Sequence, residues 1–194
     1  LQEHEAKLLA IVLRESERLN GLITDFLAYA RPAPPRLEHF ELGVLVHDLV
    51  TLLTADNRFE KVELITEIPA GIGLLADRGQ LHQALLNLLH NGAESMRQGG
   101  KLTITATRQV GRDDVGQQIT LISISVSDQG CGLDEETSQH LFEPFWTTKP
   151  AGTGLGLATV YRIVEAHGGS IHARAREEGG TVFTILLPIL EESA

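Results

Sequence analysis

The stretch RPAPPR, residues 31–36, constrains this chain more than any other. Its three prolines remove backbone donors and disfavour the helical region for the residues before them. A helix must therefore stop here, and what lies on either side folds separately. Before it, Leu8, Val12, Glu15, Leu19, Leu22, Phe26 and Tyr29 recur at alternating spacings of four and three, with only Glu15 polar. Leu9, Leu13, Ile23 and Leu27 widen that stripe beyond a two-stranded seam. The pattern predicts one long helix over residues 3–30, of the kind that sits in a helical bundle. Such a face needs a partner, either further helices or the rest of this chain. The chain begins at Leu1 and not at methionine, so a piece of a longer protein is expected.

After the prolines the pattern mixes. Leu42–Thr54 and Asp77–Arg97 read as helices, the second followed by Gly99 and Gly100. Val62–Ile68 alternates like a strand, and Leu74–Ala76 is a short apolar run. Lys101–Val110 and Gln117–Ser127 are rich in β-branched residues around the turn-like GRDDVG. Gly154–His167 reads as a helix, and Ser170–Arg176 with Thr181–Leu187 as a hairpin across EEGG. Helices and mostly antiparallel strands in blocks predict an α+β fold, a two-layer α/β sandwich preceded by a long helix. The expected units are 1–31, a linker at 32–36, and a domain at 37–194.

Net charge is −10, which excludes broad attraction to nucleic acid or anionic lipid. An anionic ligand must instead be held by backbone amides, a metal ion or a few cations. Cys131 is the only cysteine, so there is no intramolecular disulfide and a reducing, cytoplasmic setting is expected. No apolar run approaches the roughly 18 residues of a membrane span, so no membrane contact is expected from this chain. A membrane anchor upstream is compatible with all of this.

Within Asp77–Arg97, Gln83, Asn87, Asn91 and Glu94 fall on one face, opposite Leu81, Leu85, Leu88 and Leu89. An amide oxygen is a neutral ligand for Mg²⁺, whose other ligands are usually phosphate oxygens and water. Taken alone, the stripe is equally an ordinary exposed face. SDQGCGL, from Ser127, places Asp128 before Gly130 and Gly132 at the end of a strand; the carboxylate suits an exocyclic amine such as that of adenine, though ordinary turns look the same. GTGLGLATV, from Gly152, is a glycine-rich loop opening a helix, where exposed amides favour phosphate, or a structural turn. Between these lies LFEPFWTTKP. Leu141, Phe142, Phe145 and Trp146 are expected to clamp a loop to the body and leave Thr147, Thr148 and Lys149 facing phosphates. A small satellite core under a loop is the alternative.

In this order the four pieces resemble the catalytic, ATP-binding half of sensor histidine kinases, in the GHKL superfamily with gyrase, Hsp90 and the mismatch-repair ATPases. NLLHNGAES resembles the N box, DQGCG the G1 box, LFEPFW the F box and GTGLGL the G2 box. IVLRESERLNGLITDFLAYARP, Ile11–Pro32, resembles the second helix of the dimerisation and phosphotransfer bundle, in wording closest to nitrogen-regulation and pilus-regulation kinases. The resemblance implies a Bergerat-type ATP-binding fold. It implies Asn91 as the Mg²⁺ ligand, Asp128 as the reader of adenine, and Gly130 and Gly132 as shapers of its pocket. It implies Gly152, Thr153, Gly154, Leu155, Gly156 and Leu157 as the hinge and phosphate turn of a lid over about 133–152, with Thr148 and Lys149 as phosphate contacts. Asn87 stands where hydrolytic relatives carry a water-activating Glu. An amide cannot take that proton, which favours phosphoryl transfer.

The implied cofactors are ATP and Mg²⁺. The implied partners are a receiver domain of a response regulator and, through the bundle, a second copy of the full-length protein. The phosphoacceptor H box is absent: His4-Glu5-Ala6-Lys7 lacks the Asn-Pro and lies one helix from the linker, not a hairpin. His4 therefore reads as a solvated histidine at a helix start, and this chain alone is not expected to autophosphorylate. His90, about 100° round the helix from Asn91, reads as structural. The stripe on helix 3–30 with half its bundle missing predicts a weak, non-native dimer or a poorly ordered helix. Two other readings remain at this point: a hydrolytic clamp ATPase of the superfamily, and a non-catalytic nucleotide-responsive module.

Overall fold

The computed structural model describes residues 34–112, 116–149 and 152–189, with seven positions nearer the N-terminus. Those seven, Leu8, Leu9, Val12, Leu13, Ser16, Ile23 and Phe26, are α-helical and exposed. The rest of the expected long helix, His4 and residues 31–33 of the linker lie outside the described residues. Pro34 to Leu37 have no regular structure.

A five-stranded sheet in the order β2-β4-β5-β7-β6 forms one layer. Its strands are β2 (Val62–Glu67), β4 (Gly100–Arg112), β5 (Gln118–Ser127), β6 (Ser170–Ala175) and β7 (Thr181–Pro188). A separate antiparallel pair joins β1 (Glu38–Glu41) to β3 (Gly73–Ala76). From Leu42 onward the described helices are α1 (Leu42–Leu53), α2 (Arg78–Ser95), α3 (Glu135–His140) and α4 (Gly156–Ala166), with a 3₁₀ turn at Asn57–Phe59. α2 and α4 pack together, and α1 packs on α2. The two-layer α+β sandwich expected from the sequence is the fold observed.

Period-two alternation builds the sheet layer. Leu102, Ile104 and Ala106 of β4, Ile122, Ile124 and Val126 of β5, and Phe183, Ile185 and Leu187 of β7 are buried against the helices. On the other face Thr105, Ser125 and Thr184 stand in register, and the Ser125 and Thr184 hydroxyls lie 3.0 Å apart. One buried face and one wet face is the usual state of an antiparallel sheet. The helical layer answers with Leu81, Leu85, Leu88 and Leu89 of α2 and Val160, Ile163 and Val164 of α4.

Two features differ from the sequence reading. β2 pairs with β4 in parallel, because the chain crosses through β3 and α2 between them. β1, the 3₁₀ turn and α3 were not expected. Each is short, and β1 exists only through its pairing with β3.

Candidate nucleotide site

α2 places the polar stripe. Asp77 caps it, accepting the Gln80 N–H at 2.9 Å and the Arg36 N–H at 2.8 Å. Its own N–H donates to His167 Nε2 at 2.9 Å, which ties the start of α2 to the end of α4. With the leucines turned inward, Gln83, Asn87 and Asn91 are half-buried and Glu94 is exposed. Gly92 lets α2 close on the sheet: a Cβ there would lie 2.6 Å from Leu102 Cδ1 and 3.4 Å from Asp128 Cβ.

That approach brings Asp128, at the end of β5, under the helix. It is only 3 % exposed. Its Oδ1 accepts the Gly130 N–H at 2.8 Å, the Ser95 hydroxyl at 3.1 Å and the Thr181 N–H at 3.2 Å. Its carbonyl accepts from Arg176 Nη1 at 2.9 Å. None of these bonds uses Oδ2, so the carboxylate is fixed through one oxygen while the residue lines a cavity of about 420 Å³. Gly130 makes this possible, since a Cβ there would sit 1.9 Å from Ser95 Oγ.

The same cavity is lined by Asn87, Asn91, Gly132, Thr148, Lys149, Gly152, Thr153, Gly154, Gly156 and Leu157. Two residues of the expected set stand behind its wall. Gly130 backs Asp128, and Leu155 is buried at the N-cap of α4 with 2 % exposure. Asn87 Nδ2 donates to the Gly156 carbonyl at 3.2 Å, so this amide holds the first residue of α4. Lys149 Nζ donates to Asn91 Oδ1 and, at 2.7 Å, to Glu94 Oε2. A cation thus already rests on the amide oxygen that a hard metal ion would use. The residues present fit Mg²⁺ bound through Asn91 and a ligand's oxygens. Among the described residues no group of three or more His, Cys, Asp or Glu could hold a metal without such help.

The aromatic loop is held largely as expected. Leu141 is buried, Phe142 lies 5.8 Å from the Tyr161 ring, and Trp146 stacks on His140 at 6.1 Å and lines the cavity beside Thr147 and Thr148. Phe145 is the correction: it is 63 % exposed and adopts φ 66°. Its N–H bonds the Gly154 carbonyl at 2.9 Å, and a Cβ on Gly154 (φ 67°) would lie 2.4 Å from the Phe145 backbone. The tight crossing of these two segments turns the ring outward.

His90, read from the sequence as structural, packs beside Phe59 and also lines the cavity. The wall wraps past one helix face to the 3₁₀ turn, where the Phe59 ring lies 6.0 Å from His90 and Asp56 Oδ2 lies 3.6 Å from its Nε2. Burial, then the nearby Arg58 charge, hold its pKa below the usual histidine value. Sequence reasoning also missed Ser95, Thr181 and Arg58. Ser95 stands one helical turn after Asn91, a spacing that carried the signal; Thr181 and Arg58 arrive through tertiary structure alone.

A family model for the histidine kinase-, DNA gyrase B- and HSP90-like ATPases matches residues 76–191. The chain is 35 % identical over 182 residues to the signal transduction histidine-protein kinase AtoS of Escherichia coli (strain K12), covering 93 % of this chain and 29 % of AtoS. It spans about a quarter to two-fifths of the length of curated relatives it matches. The nucleotide-free catalytic domain of histidine kinase ThkA superposes with a TM-score of 0.67 at 31 % identity, over 79 % of this chain and 95 % of that one. ThkA in complex with the response regulator protein TrrA matches with a TM-score of 0.75 at 28 % identity, over 97 % and 52 % of the two chains. Full-length ShkA in complex with AMPPNP gives 0.75 at 27 % identity, over 97 % and 40 %. The two-layer fold agrees with those matches, and the chain belongs to the histidine kinase-, DNA gyrase B- and HSP90-like ATPase family, as a histidine kinase catalytic domain.

Proposed function

We propose that this domain binds ATP with Mg²⁺ in the 420 Å³ cavity and transfers the terminal phosphate to a histidine on a bundle helix, for relay to a response-regulator aspartate. The observation that carries the reading is Asp128, a carboxylate pinned through Oδ1 by three donors at the cavity wall. Fixed in this way, it offers its other oxygen to an exocyclic amine without reorganising. Gly132 lets the chain pass close to the ring. Asn91 offers an amide oxygen to Mg²⁺, which when bound would neutralise phosphate charge. Lys149, released from Asn91 and Glu94, becomes a phosphate contact with Thr148. The start of α4, from Gly156, presents helix-end amides to the phosphates, while the Gly152 and Leu155 N–H groups are held by the Lys149 carbonyl and Thr153 Oγ1 and shape the turn that leads into it. Catalysis by these residues is positioning and charge stabilisation, as phosphoryl transfer requires.

Residues 1–31 would form the second helix of the dimerisation bundle, 32–36 the linker and 37–194 the catalytic domain. Dimerisation, cytoplasmic placement and a receiver-domain partner follow from this reading; ThkA's complex with TrrA supports the last. Hydrolysis is the weaker alternative, because Asn87 cannot accept a proton from water and its amide is committed to the Gly156 carbonyl. The test is to mix the chain with γ-labelled ATP, Mg²⁺ and a separate bundle carrying an H box. Label on the histidine is expected. Release of free phosphate at equal or greater rate, with no labelled histidine, would favour the clamp ATPase.

A further inference from the structure

Arg58 lies outside every sequence box, in the 3₁₀ turn between α1 and β2, yet it lines the nucleotide cavity. The turn is built to hold it. Phe59 anchors the segment in the core. Asp56 accepts the Arg58 N–H at 2.9 Å, and its carboxylate takes Nε at 3.0 and 3.1 Å and Nη2 at 2.6 Å. This fork uses one side of the guanidinium and leaves Nη1, which lies 3.7 Å from Glu94 Oε1. The other oxygen of Glu94 takes Lys149 Nζ. Two cations from distant parts of the chain therefore converge on one carboxylate at the cavity edge, beside Asn91.

We propose that Arg58 is a phosphate-binding residue of the nucleotide site. Asp56 aims it, and Glu94 is its resting counter-ion until the terminal phosphate of a nucleoside triphosphate takes over that contact. The inference rests on the nucleotide reading above and adds a residue to it. The chemistry is apt. A guanidinium presents paired donors that match phosphate oxygens, and Asp56 fixes its side chain before ligand arrives, so little side-chain freedom is lost on binding. Glu94 balances Arg58 and Lys149 when no phosphate is present; a phosphate carries more charge and more acceptors than the carboxylate it replaces.

The test is calorimetric titration of the whole chain, with Mg²⁺, using a non-hydrolysable ATP analogue, ADP and adenosine, on wild type, Arg58→Ala and Arg58→Lys. Arg58→Ala should weaken the ATP analogue by about tenfold or more, ADP by less, and adenosine by about twofold at most. Arg58→Lys should recover part of the loss. Equal losses for all three ligands would reduce Arg58 to a structural role and overturn the proposal, as would no loss for any. A wild-type chain that binds none of the three would instead overturn the nucleotide reading itself, and this proposal with it.

Discussion

Asp128, Ser95 and Gly130 form a unit in which each residue sets the others. Ser95 donates from the last turn of α2, and Gly130 donates from the loop after β5 to the same Oδ1. Gly130→Ala drives a methyl to 1.9 Å from Ser95 Oγ. It should lower stability by about 1–3 kcal/mol, read as a urea midpoint, and weaken nucleotide binding with it. Gly79 makes the contrast. It lies in the first turn of α2, a Cβ there would be 3.4 Å from the nearest side-chain atom, and no positive φ is needed. Gly79→Ala should raise stability by about 0.5 kcal/mol in the same urea titration, through better helix propensity alone.

At the scale of elements, α2 depends on Asp77. Burial would push that carboxyl up, but the N–H groups of Gln80, Arg36 and Gly79 and the His167 ring outweigh it and hold its pKa below the ordinary value. A lowered folded pKa means that this stabilisation is present above the unfolded value near about pH 3.9 and is lost as pH falls through the folded value. Thermal melts from about pH 6 to pH 2 should show wild type losing more stability in that acid range than Asp77→Asn, which keeps the cap and removes the titration. Asp77→Ala should cost about 1 kcal/mol at neutral pH. α2 was also the element most legible in the sequence, because its evidence is local: four leucines at helical spacing, amides on the other face, Asp77 at its start. β1 was not legible, since EHFE becomes a strand only beside β3. The same split runs through the site. Asn87, Asn91, Asp128 and Lys149 lie in runs whose spacing carries them, and the cavity gathers all four. Arg58 and Thr181 come to it from segments whose neighbours along the chain give no sign of it, and His90 joins the lining because the wall wraps past one face of the helix.

For the whole molecule, the core formed by the described residues runs from Leu42 to Leu187, all of it after the prolines. Leu8, Leu9, Val12, Leu13, Ile23 and Phe26 are all exposed. We expect removal of residues 1–33 to change the melting temperature by no more than about 2 °C; a fall beyond about 5 °C would show that the N-terminal helix docks on the domain. Among the described residues no helix is long and apolar enough to cross a membrane. Titration calorimetry of wild type and Asp128→Asn with a non-hydrolysable ATP analogue, with and without Mg²⁺, decides whether the cavity under α2 reads adenine through Asp128. Wild type should bind, more tightly with Mg²⁺, and the variant should lose about tenfold or more in affinity. Equal affinity in the two proteins, with both folded, would contradict that reading.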